Sequence, residues 1–129
     1  MTTISGEFSV GMTAQDAQGE SPAIGRMLLD KQYHGALEAR GAGQMLATHG
    51  SIAGSAAYVA LETVTGTLQG RAGSFALVHQ GRMNRGQPSL SIEVVPDSGT
   101  GALAGLAGRM SIRVEGHQHF YDFDFTLPD

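Results

Sequence analysis

Three ionisable residues stand where an alternating sequence predicts an interior face or leaves the face open. Lys31 lies between Leu29 and Tyr33, His79 follows Leu77 and Phe75 at two-residue spacing, and Glu62 comes directly after the apolar run Ala56 to Leu61. An ammonium on an apolar face requires a carboxylate partner or a lowered pKa. If Lys31, Glu62 and His79 share one interior, they form a general acid/base set suited to moving a proton on a bound carbonyl or hydroxyl compound. The plainer reading is a satisfied polar cluster that fixes strand register. Alternation does not choose, because the segment carrying Glu62 is apolar on both faces.

A second tier of candidates would bind rather than react. Tyr33, Tyr58 and Tyr121 each offer a ring for packing and a hydroxyl to aim into the same space, although core packing alone would account for them. In Arg82-Met-Asn-Arg85-Gly-Gln-Pro88, two guanidiniums flank a turn, and Arg85 is the candidate to hold an anionic group at the mouth of the fold; a solvated turn competes with that role. His117 and His119, on one face of an expected strand and about 7 Å apart, could begin a metal site. No third ligand follows at suitable spacing and Asp122 and Asp124 face the other way, so no metal and no other cofactor is expected.

The elements that must position these residues follow a period of two. Ile4, Gly6, Phe8 and Val10 alternate with polar neighbours; Met27, Leu29, Lys31 and Tyr33 share a face over 26–34; and 37–48 and 56–65 are further extended segments. Gly41 and Gly43 suggest a bend or bulge in the first of these two. Phe75, Leu77, His79 and Met83 alternate over 74–83, Leu90, Ile92 and Val94 over 89–95, then Met110, Ile112 and Val114, and finally His119, Tyr121, Phe123 and Phe125. The sum is about eight strands, which predicts a closed antiparallel all-β barrel with at most a short helical turn near Gly101–Gly108. Gly66-Thr-Leu-Gln-Gly70-Arg-Ala-Gly73 and Gly101-Ala-Leu-Ala-Gly105-Leu-Ala-Gly108 repeat one G-x-L-x-G-x-x-G pattern. Its glycines allow tight re-entry into the sheet, and Leu68 and Leu103 are placed to plug a barrel end.

Length and composition narrow the function classes. The 129 residues make one domain, 1–129, with 41% hydrophobic and 16% charged residues. Eight basic against twelve acidic residues give a net charge of -4, which argues against nucleic acid as a partner. The absence of Cys removes disulfides, thiol nucleophiles and thiolate metal sites. G-x-S-x-G, H-E-x-x-H, the phosphate loop and the dinucleotide fingerprint are all missing. The N-terminal residues lack a basic, then apolar, leader, and no apolar run approaches the ~20 residues of a membrane span, so a cytoplasmic protein without membrane contact is expected. The segment Ala57 to Leu61, apolar on both faces, predicts a homo-oligomer, with a dimer favoured.

Several stretches carry a resemblance. Asp30-Lys-Gln-Tyr-His-Gly35, Gly66 to Phe75, Met83-Asn-Arg-Gly86, Val95-Pro-Asp-Ser-Gly-Thr-Gly101 and Tyr121-Asp-Phe-Asp-Phe125 together resemble a bacterial family of small proteins of unknown function. That family's fold resembles the eight-stranded barrel of allene oxide cyclase and the plant dirigent proteins, and Gly99 to Gly108 looks like the glycine-rich turn those barrels place before a late strand. No active-site motif of allene oxide cyclase matches residue by residue, so the resemblance implies a lumen able to take an apolar molecule and carries over no catalytic position. Two functions are therefore expected: a barrel that binds a small apolar or amphipathic molecule without catalysis, or a lyase- or isomerase-like enzyme using Glu62, His79 and Lys31.

Overall fold

The computed structural model describes residues 1–15 and 23–128. Eight antiparallel strands follow one another around a closed barrel: β1 (Thr2–Gln15), β2 (Gly25–Tyr33), β3 (Leu37–His49), β4 (Ala56–Leu68), β5 (Arg71–Asn84), β6 (Gln87–Val94), β7 (Ala107–Glu115) and β8 (Gln118–Thr126). Each pairs with its neighbour in sequence, and β1 closes the ring against β8 from Thr2↔Phe125 to Phe8↔His119. A single 3-10 turn, Gly101–Leu103, is the helical content of the described residues. None of their helices is long and apolar enough to cross a membrane.

The alternation that predicts the strands also sets the interior. Every inward position expected above faces the lumen, and the two halves of that lumen differ. At one end Leu37, Leu68, Phe75, Phe123 and Phe125 are buried, with Phe75 stacked on Phe123 at 5.9 Å between ring centroids. The 3-10 turn lies across this end, held by Thr100 N–H to the Ser74 carbonyl at 2.8 Å, and inserts Leu103 beside Leu106 into the core. Leu68 and Leu103, the apolar residues of the repeated glycine motif, both plug this end as the repeat predicts. Toward the other end, inward-facing side chains become exposed: Met12 to 58%, Leu90 to 45%, Met83 to 41% and Val114 to 61%.

Two features are not given by the sequence reading. Gly41 and Gly43 make no bulge: β3 and β4 stay in register from Leu37↔Leu68 to His49↔Ala56. Closure is also uneven. Between β6 and β7 only Ile92↔Met110 and Glu93↔Arg109 pair, so 87–91 and 111–115 diverge toward the mouth. Pro88, which has no N–H to offer, stands in this unpaired stretch and blunts its edge.

Candidate functional site

Lys31, Glu62 and His79 are the charged or polar residues buried in the barrel among those described, and they meet halfway along its axis. Glu62 is the centre. Its Oε1 accepts hydrogen bonds from Lys31 Nζ at 3.0 Å and His79 Nε2 at 2.9 Å, and its Oε2 accepts one from the Tyr33 hydroxyl at 2.6 Å. A carboxylate only accepts, so the proton in the His79 contact sits on Nε2. Lys31 Nζ also lies 5.5 Å from the Phe8 ring centroid and 5.9 Å from that of Tyr33, within the range at which an aromatic face attracts a cation.

The strand between them makes this meeting feasible. Lys31 and Tyr33 are on β2 and Glu62 is on β4, so their side chains must cross β3. There the inward residues are Ala39, Gly41 and Gly43, with Lys31 paired to Gly41 and Glu62 to Gly43. A Cβ at Gly41 would collide with Glu62 Oε2 and lie 3.2 Å from the Tyr33 ring. The glycine vacates the space the carboxylate fills, so Gly41 belongs to the site as firmly as the polar residues it admits.

Electrostatics hold the cluster in one protonation pattern. Burial alone would raise the Glu62 carboxyl, but the His79 hydrogen bond, the Lys31 charge and the Tyr33 hydrogen bond outweigh it and leave the group below its ordinary value. Burial pushes the Tyr33 hydroxyl far above its ordinary value, and the adjacent Glu62 charge and hydrogen bond push it further. Tyr33 is therefore a neutral donor to an ionised Glu62. No buried side-chain nitrogen or oxygen among the described residues lacks a partner.

The remaining candidates scatter. Tyr121 belongs to the closed end: its ring meets Tyr33 edge-on at 5.6 Å, but its hydroxyl donates to the His34 carbonyl at 2.8 Å and accepts from Leu37 N–H at 3.3 Å. It turns away from Glu62, correcting the expectation that the three tyrosines share one space. Tyr58 is half-buried on the mouth side, its ring lying over Gly81, where a Cβ would collide with it. Burial raises its hydroxyl. Arg85 occupies the exposed β5–β6 turn at the mouth with φ 49°, beside Gly86 at φ 90°, as a tight two-residue hairpin requires. His117 lies in the turn before β8 rather than on the strand, so it does not share a strand face with His119, which packs its ring 5.3 Å from Phe8.

Comparison with known proteins places the chain in a family. Residues 4–125 match the family described as "Protein of unknown function (DUF3224)", and the chain belongs to it. The crystal structure of a protein with unknown function from the same family, from Shewanella oneidensis MR-1, is 48% identical and superposes with a TM-score of 0.94 over 100% of this chain and 98% of that one. No curated protein matches. The likeness is to this family, and neither match extends it to allene oxide cyclase.

Proposed function

We propose that this protein is a small-molecule-binding barrel of the bacterial cytoplasm, holding an apolar or amphipathic ligand in its open half with no catalytic step of its own. The observation that carries this reading is the gradient of exposure along the inward face. Met12, Met83, Leu90 and Val114 point inward yet remain 41–61% exposed, while the same faces are closed a few residues deeper. Apolar surface that faces inward and still meets solvent is surface a ligand can cover, and flexible methionines adapt to varied shapes. The Glu62 cluster forms the polar floor beneath, both oxygens of its carboxylate already engaged by Lys31, His79 and Tyr33.

The test uses 11-(dansylamino)undecanoic acid, an amphiphile whose fluorescence reports transfer out of water. Saturable one-site binding that weakens about tenfold in Leu90→Lys supports the reading. No binding at about 100 μM, together with a bare chain mass in native mass spectrometry, overturns it.

One observation favours the enzymatic alternative. His79 engages Glu62 through Nε2, which leaves Nδ1 as the nitrogen available to a ligand, in the manner of an imidazole base oriented by a carboxylate. His79→Gln separates the two functions: a binding protein keeps its affinity for the fluorescent amphiphile, whereas an enzyme loses turnover because the amide exchanges no proton near neutral pH.

A further inference from the structure

The outward face of the barrel is not uniform. Over β1, β7 and β8 it is polar and internally bonded: Thr3 and Ser5 hydroxyls donate to Asp124 and Asp122 at 2.6 Å, and Arg113 Nε to Asp122 at 2.8 Å. Over β3, β4 and β5 it is uncharged across whole rows. Leu28, Gln44, Leu61 and Val78 stand side by side on consecutive strands, and Leu46 and Val59 adjoin them in the next row. Leu61 is 63% exposed, Val59 49% and Leu46 45%. A groove of about 920 Å³ runs over this face.

We propose that this face is the self-complementary interface of a homodimer, β4 of one copy lying against β4 of the other. Two copies of a chain with net charge -4 repel. They can meet through a patch with no like charges to oppose, and the rows around Leu61 provide one. The borders supply the complement. Arg26, next to Leu46, bounds the patch on β2, and Glu93, next to Val78, bounds it on β6. A twofold axis running along β4 lays the β2 border of each copy over the β6 border of the other, bringing Arg26 toward the partner copy's Glu93 on both sides. Leu61 and Val59 project from the middle of the patch, while the next row offers the small residues Ala42 and Ala76. Asp30, the other charge on the β2 border, is already paired with Arg40 at 3.2 Å, so the complement that a second copy offers is the reciprocal pair of Arg26 with the partner copy's Glu93.

Sedimentation velocity of the full chain at tens of micromolar tests the proposal. Wild-type protein is expected at twice the chain mass, and Leu61→Arg should weaken association about a hundredfold without lowering the melting temperature. Val59→Lys is the second variant and should act likewise. Arg26→Glu should weaken the dimer and the addition of Glu93→Arg restore it. Val114→Arg, at the mouth, should leave it intact. A single-chain mass for the wild type, a dimer indifferent to Leu61→Arg, or a dimer broken by Val114→Arg instead overturns the proposal.

Discussion

The lumen is built by different means at its two ends. Around the 3-10 turn, large rigid side chains interlock: Phe75, Phe123 and Phe125 pack with Leu37, Leu68 and Leu103, all at most 4% exposed. Burying each such side chain contributes about 1.5–3 kcal/mol. Around the mouth the inward positions carry Ala47, Ala56 and Gly81 among methionines, and the strands diverge between β6 and β7. Close packing is concentrated in the first region, and inward-facing surface that still meets solvent in the second. Glu62 and its three partners sit at the boundary, where they tie β2, β4 and β5 together across the lumen.

Substitutions should expose this asymmetry. The largest losses are expected at the closed end. Gly105 has φ +83° and Pro128 lies 2.6 Å from where its Cβ would be, while a Cβ at Gly73 would collide with the Thr100 carbonyl. Gly105→Val or Gly73→Val should cost about 3 kcal/mol or more, or leave no folded protein in a thermal melt. Wild-type melting of both would show that the repeated glycine motif does not anchor this end.

At the boundary, Glu62→Gln leaves the Lys31 ammonium buried beside a neutral amide, and a loss of about 3–5 kcal/mol in urea denaturation is expected. His79→Gln keeps a donor within reach and should cost about 1 kcal/mol or less. Equal effects would mean that the ionised carboxylate is not what organises the cluster. Gly41→Ala falls between them, at about 1–3 kcal/mol, because the added methyl group displaces Glu62 or Tyr33.

The same cluster sets the response to pH. The folded-state pKa of Glu62 lies below its ordinary 4.5, so its contribution is complete above that pH and is lost as the medium becomes more acidic. That of Tyr33 lies above its ordinary 10.0, so its contribution is complete below that pH and is lost above it. Melting temperature should therefore fall on both sides of this window, and Glu62→Gln should flatten the acid side. The smallest effect belongs to the mouth. Leu90→Lys should change stability by about 0.5 kcal/mol or less while weakening amphiphile binding, and a large loss of stability would show that the mouth is as tightly packed as the other end.

Much of this arrangement is legible in the residue pattern, and the gaps have physical causes. Six of the eight strands follow from alternation and the other two, β3 and β4, from extended segments whose faces the pattern leaves open, but several run further than the pattern suggests. Arg71 already pairs with Leu68 because Gln69 and Gly70, at φ 49° and 82°, turn the chain within two residues. Glu62's direction is hidden because Val59 and Leu61 are apolar and face outward, which erases the contrast alternation depends on. Gly41 and Gly43 suggest a bend because a missing side chain has no direction of its own; their meaning lies on β2 and β4. Tyr121 is assigned to the correct face, but alternation says nothing about which way along the barrel axis a hydroxyl leans.

The short β6–β7 ladder bears on how the native state fluctuates. Parting those two backbone pairs would unroll the ring into a sheet ordered β7-β8-β1-β2-β3-β4-β5-β6, with the strands nearest the chain termini protected in its interior. Amide protons along 89–91 and 111–115 should thus exchange with solvent through small local openings, while those at the centre of β3 and β4 wait for global unfolding.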